Sequence, residues 1–199
     1  MALTAVRRES LALALAVAVS SAGCVTVRSA PPAFTDVWPP AEGGPRPTLT
    51  LVVSGGAVVD GIPRDLGPIL DDWGWATNRA YRESGLFSDV LLRAGRSDLH
   101  AAVTLRAEVQ QSDVLTALSY LTLLIIPNVV TTEIIVATSI TTDKGEPLGT
   151  IEVRGRSRTW YQLLLLPVTP FFEPHGVSPE IVYDLNRQTI ATLHGRGVF

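Results

Sequence analysis

Cysteine is nearly absent from this 199-residue chain: Cys24 stands alone. No internal disulfide can form, so a fold in an oxidising compartment has to be held by packing. Histidine is scarce as well, and His100, His175 and His194 fall in no HExxH or related metal-ligand spacing. The sequence contains no GxSxG elbow, no P-loop and no GxGxxG. An excess of basic charge is missing too: the net charge is −3 and the pI about 5.6, which argues against a nucleic-acid partner. Asp71 and Asp72 are adjacent carboxylates, but helical neighbours point about 100° apart, and early-turn acids facing the helix dipole account for them. His194, near the end of the last helical pattern, suits the dipole in the same way. These absences predict a chain that is not an enzyme and needs neither metal nor cofactor.

What is present begins at the amino terminus. Arg7 and Arg8, the apolar run from Leu11 to Val19 and the small residues Ser20 to Gly23 are the three parts of an export signal in order. A helix of about nine residues, at about 1.5 Å each, cannot cross a hydrocarbon layer of roughly 30 Å, so this run is a signal and not a span. Ser21-Ala22-Gly23-Cys24 resembles the lipobox of bacterial lipoproteins, with Ser21 where that family carries Leu, Val or Ile. The resemblance implies cleavage after Gly23 and acylation of Cys24, which anchors the chain in a membrane. Val25 after the cysteine, rather than Asp, implies the outer membrane and a periplasm-facing domain, with the inner membrane still open. The other reading is an ordinary secretory signal with an unrelated cysteine beside it.

Residues 24–47 follow as a tether rich in Pro, Ala, Gly and Ser. Phe34, Val37 and Trp38 interrupt it, either to pack back on the domain or to dock a partner. The single folded domain is expected over 48–199. Thr48 to Ser54 reads as a strand ended by Gly55-Gly56, and a helix follows from near Asp65 to Ser84. Its apolar stripe is Ile69, Leu70, Trp73, Ala76, Ala80 and Tyr81, and Gly85 closes it. Leu86 to Leu92 is a short strand and Asp98 to Gln110 a longer one, in which Ala101, Val103, Leu105, Ala107 and Val109 alternate with a polar set. Thr131 to Thr142 and Leu148 to Trp160 form a hairpin across Asp143-Lys144-Gly145. A last helix runs from about Ser178, with Pro179 at its first position, to His194.

That order predicts an α+β fold: a mostly antiparallel sheet of about five strands with two or three helices on one face. Behind a lipobox and a Pro-rich tether, it resembles the small periplasmic lipoprotein domains of the LpoB and TolB amino-terminal type. The resemblance implies a non-enzymatic accessory or scaffolding partner of an envelope complex, and beyond Cys24 it transfers no residue.

Two stretches are more apolar than ordinary loops: Val114 to Val130, broken at Pro127, and Tyr161 to Phe172. Both are too short or too interrupted to span a membrane. One precedes the first arm of the hairpin and the other follows its second, so antiparallel pairing brings them to the same end of the sheet. The expected joint patch comprises Leu121, Leu124, Ile125, Ile126, Leu164, Leu165, Leu166 and Phe171. Three readings are open. Leu115 to Ile126 is a buried helix and Leu163 to Leu166 a core strand; or the stretches form a contact surface for a partner or membrane; or they wall a pocket, with the last helix, for a lipid or other apolar ligand. Arg154, Arg156 and Arg158 share one strand face, to bind an anionic group or to form a solvated surface with Glu108 and Glu152.

Overall fold

Among the described residues a seven-stranded open sheet runs in the order β1 (Cys24–Arg28), β7 (Pro147–Tyr161), β6 (Asn128–Thr142), β5 (Leu99–Gln111), β2 (Thr48–Val59), β3 (Ile62–Arg64), with β4 (Asp89–Leu92) also paired to β2. The structure is a computed structural model and describes residues 24–28, 38–40, 46–92, 95–162, 165 and 177–199. The expected signal at 1–23 and most of the expected tether lie outside these residues. The elements are β1 (Cys24–Arg28), β2 (Thr48–Val59), β3 (Ile62–Arg64), α1 (Pro68–Glu83), β4 (Asp89–Leu92), β5 (Leu99–Gln111), α2 (Asp113–Leu121), β6 (Asn128–Thr142), β7 (Pro147–Tyr161) and α3 (Val177–Gly195). The fold is therefore α+β, with three helices and a mostly antiparallel sheet among the described residues. Within it β2 runs parallel to β5, from Leu49 opposite Leu99 to Val59 opposite Val109. It is parallel to β4 as well.

The expectation of five strands is corrected to seven, for two physical reasons. The first is β1, inside the segment read as tether: its β-branched run Val25-Thr26-Val27 is hidden by the Pro and Gly that dominate the rest of that segment. The second is β3, which folds back on β2 across Asp60 and Gly61, both at positive φ. Nor does β2 end at Gly55-Gly56. A side chain at Gly55 would put its Cβ 2.6 Å from the Leu105 carbonyl oxygen, so this glycine permits the close approach of β5 and does not stop the strand.

The chain divides into two compact units. The larger contains residues 27–28, 38–40, 46–92, 95–110, 131–158 and 177–199. Its core joins Leu49 and Leu51 of β2, Val103 and Leu105 of β5 and Ile134, Val136 and Ile140 of β6. Against them lie Trp73, Ala80 and Tyr81 of α1 and Ile181, Leu185 and Leu193 of α3. The period-two alternation expected for β5 is present, with Ala101, Val103, Leu105 and Ala107 buried and Ala102, Thr104 and Arg106 exposed. Helix α1 starts at Pro68 because Gly67 takes a positive φ before it, and it gives way to Gly85 in the left-handed region as expected.

Two positions on α1 depart from the expected stripe. Ile69 is exposed, whereas Thr77 is buried. Thr77 is accommodated because its hydroxyl donates to the Trp73 carbonyl at 2.8 Å and accepts from the Asn186 amide of α3 at 3.2 Å. Trp73 Nε1 donates to Ser178 Oγ at 2.7 Å, a second polar tie between α1 and α3. Trp38 packs back on this core, under the guanidinium of Arg187 at 4.8 Å. Phe34 and Val37 lie outside the described residues.

Candidate apolar contact site

The smaller unit contains residues 24–26, 111–130, 159–162 and 165. Ser112 caps α2, its hydroxyl accepting from Leu115 N at 3.4 Å, and Asp113 places a carboxylate in the first turn. The helix is inverted relative to an ordinary surface helix. Its one buried residue is Ser119, while Val114, Leu118 and Leu121, at four- and three-residue steps, face solvent at 69%, 41% and 81% exposure. The polar side has local work to do. Thr116 Oγ1 donates to Asn128 Oδ1 at 3.3 Å, and Ser119 Oγ donates to the Ile126 carbonyl at 2.8 Å.

The turn after α2 carries the apolar exposure onward. Leu123 and Leu124 both adopt positive φ, 52° and 62°, a conformation that costs an L-residue roughly 1–2 kcal/mol. Hydrogen bonds within the segment hold it there: Leu123 N to Tyr120 O at 3.1 Å, Leu124 N to Ser119 O at 2.7 Å, Ile125 N to Thr122 O at 3.1 Å and Ile126 N to Thr122 Oγ1 at 3.2 Å. Leu123 and Ile125 are thereby displayed at 67% and 61% exposure. The second apolar stretch meets the first at this turn, where Gln162 Nε2 donates to the Ile125 carbonyl at 3.3 Å. On the other side, Thr26 of β1 and Thr159 of β7 join hydroxyls at 3.0 Å.

The buried-helix reading of Leu115 to Ile126 is thus overturned, because polar groups and not leucines fill the inward side of α2. Of the expected patch, Leu121 and Ile125 are exposed, and Leu124, Ile126 and Leu165 are half-buried. Leu164, Leu166 and Phe171 lie outside the described residues. The patch gains Val114, Leu118, Tyr120 and Leu123. The helical spacing of 114, 118 and 121 is visible in the sequence, but spacing alone does not tell whether a stripe points in or out.

The larger unit offers polar features. Glu133 lies 4.0 Å from Arg154 and 3.7 Å from Arg156, Glu152 binds Arg154 at 2.7 Å, and Arg106 pairs with Glu108 at 3.4 Å. These arginines belong to a solvated, charge-paired sheet face. A cavity of about 390 Å³ is lined by Thr48, Gly95, Arg96, Ser97, Asp98, His100 and Asp143. Its wall is largely polar and includes nothing from either apolar stretch, so it does not supply the expected pocket for an apolar ligand. The Asp98 carboxylate accepts from Thr48 N at 2.8 Å and Thr48 Oγ1 at 2.7 Å, and these bonds hold its pKa below the usual carboxylate range. Asp71 and Asp72 are exposed near the start of α1. His194 Nδ1 contacts the Phe199 carbonyl oxygen at 2.8 Å, a clasp at the end of α3, and His175 lies outside the described residues.

No protein-family model matches the chain, and no curated protein matches it. Among solved structures, a minor lipoprotein from Acinetobacter baumannii is similar at 14% identity and a TM-score of 0.40, over 75% of this chain and 91% of that one. A neuraminyllactose-binding hemagglutinin homolog from Helicobacter pylori is similar at 7% identity and 0.40, over 77% and 86%. A dodecamer of a PelC variant from Paraburkholderia phytofirmans is similar at 11% identity and 0.29, over 82% and 97%.

Proposed function

We propose that this chain is a non-enzymatic lipoprotein of the bacterial envelope, anchored through acylated Cys24. Its role is that of an accessory or scaffolding partner, and the apolar surface of the smaller unit is its contact surface. The observation that carries this reading is the exposure of Val114, Leu118, Leu121, Leu123 and Ile125 in the same compact unit as Cys24, the residue that ends the lipobox-like sequence. Single exposed leucines are ordinary, but a contiguous apolar group of this kind marks an interaction surface. A membrane anchor complements it by raising the effective concentration of the surface near whatever lies at the membrane. The outer membrane, with the domain facing the periplasm, is the proposed location. No helix among the described residues is long and apolar enough to cross a membrane.

The test is to express the wild type and Cys24→Ser in a Gram-negative host, separate soluble from membrane material and weigh the products intact. Acyl mass on Cys24 with loss of anchoring in the variant is the expected result, and photo-crosslinkers at Leu124 and Leu165 would then capture the contacts. An unmodified product cut elsewhere and found soluble would overturn the reading.

A further inference from the structure

The contact surface has a chemistry that selects its occupant. We infer that the 114–125 segment docks on the bilayer that holds the Cys24 acyl chains, seating α2 and the Leu123-Leu124 turn in its interfacial layer. This inference rests on the anchoring reading above and names what its apolar surface touches.

Three independent features favour lipid over a protein surface. The first is charge. Among the described residues of the smaller unit, Asp113 is the only one with a charged side chain, and none occurs from Val114 to Thr132. The rims of protein interfaces are polar, whereas the acyl boundary of a bilayer excludes charge. The second is backbone satisfaction. Hydrocarbon offers no hydrogen bonds, so a non-helical segment entering it must pair its own polar groups. The amides of the turn do so: those of Leu123, Leu124, Ile125 and Ile126 all donate within 119–126. The carbonyls of Ile126 and Ile125 accept from Ser119 and Gln162 of the same unit. The third is inverted amphipathicity, with Thr116 and Ser119 inward and Val114, Leu118 and Leu121 outward, the arrangement of a helix whose apolar face has an apolar solvent. Tyr120 and Tyr161, both exposed, add the aromatic residues that favour the headgroup level.

Geometry makes the docking compatible with the anchor. Strand β1 begins at Cys24 itself and joins β7 through the Thr26–Thr159 contact, and Gln162, just beyond β7, reaches Ile125. The acyl-bearing residue and the apolar turn therefore belong to one hydrogen-bonded unit, so a membrane that receives the chains of Cys24 lies within reach of the turn without a long flexible spacer.

Acylation consumes the only native thiol, so a cysteine placed at Leu121 is a unique labelling site. Full-length Leu121→Cys, purified and carrying an environment-sensitive fluorophore, would be reconstituted into phosphatidylcholine–phosphatidylethanolamine vesicles with nitroxide on the acyl chains. A label at Thr150, exposed in the larger unit, is the control. The expected result is a blue shift and loss of most of the fluorescence at 121, little change at 150, and protection of 121 from iodide. Adding Leu123→Glu and Ile125→Glu to the Leu121→Cys chain should return the label to water without lowering Tm appreciably, because both side chains are mainly exposed. Intact mass of each sample separates the two readings. An iodide-accessible label at 121 on protein with acyl mass at Cys24 overturns bilayer docking and leaves the anchor standing; protection from both quenchers on acylated protein overturns it in favour of a protein contact, such as a second copy. An unmodified Cys24 overturns the anchor and the docking inference together.

Discussion

Leu121→Ser, made in the unacylated Cys24→Ser chain in lipid-free buffer, is expected to leave thermal stability almost unchanged. Burying a leucine side chain completely contributes about 1.5–3 kcal/mol. Leu121 is 81% exposed, so the folded chain collects only about a fifth of that, at most roughly 0.6 kcal/mol. For a chain of this size 1 kcal/mol moves Tm by about 2–4 °C, which sets the expected drop at about 1–2 °C. The comparison is Leu51→Ala on β2, where the side chain is 1% exposed. Such a truncation leaves a cavity as well as losing transfer free energy, about 2–5 kcal/mol, and should lower Tm by about 4–20 °C. Circular-dichroism melts of the two variants against their common parent make the measurement. If Leu121→Ser lowered the midpoint as far as Leu51→Ala does, Leu121 would be a core residue in solution, and the argument for an outward apolar face on α2 would fall.

Four further outcomes depend on particular contacts. Tyr81 is completely buried, with neither its hydroxyl nor that of Thr138 in a well-formed hydrogen bond among the described residues, so Tyr81→Phe should be neutral or stabilising by up to about 1–3 kcal/mol in denaturant titration. Burial pushes the Tyr81 phenol above its ordinary value of 10.0; the unfolded chain ionises first, so stability should decline as pH rises past 10, and that part of the decline should be missing in Tyr81→Phe. Asp98 has the opposite sign: its folded pKa lies below 3.8, so its contribution is present above that value and lost as pH falls through the folded one, and Asp98→Asn should flatten this part of an acid titration of stability. Gly55→Ala should cost about 3 kcal/mol or more, because its Cβ would meet the Leu105 carbonyl oxygen of β5, while Gly56→Ala, with only the Arg64 oxygen at 3.9 Å, should be tolerated within about 1 kcal/mol; equal denaturation midpoints would refute the close-approach account.

Periodicity is enough to recover the long elements. Strand β5 alternates in and out as its sequence does, the β6–β7 hairpin turns at Asp143 to Gly145, and α3 carries Ile181, Leu185 and Leu193 inward. These elements have long repeats facing one core, so local pattern and tertiary burial agree. The short pieces are not legible. Strand β1 is five residues within a Pro-rich segment, β3 is three exposed residues, and both exist only because a neighbouring strand offers its edge. The same limit applies to Gly55-Gly56, where glycine as a stop signal and glycine as a contact point look alike until β5 is in place.

Residue order alone establishes that the sequence carries no HExxH, GxSxG, P-loop or GxGxxG pattern, that Cys24 is its one cysteine and stands in a lipobox-like context, and that two apolar stretches flank one hairpin pattern. It leaves open which way those stretches face. A leucine stripe at helical spacing has the same pattern whether it fills a core or covers a surface, because hydrophobic periodicity defines a face and not its environment. Packing in three dimensions settles the direction, through the side chains opposite the stripe. With Thr116 and Ser119 bonded inward to Asn128 and Ile126, Val114, Leu118 and Leu121 are left to meet whatever lies outside the protein.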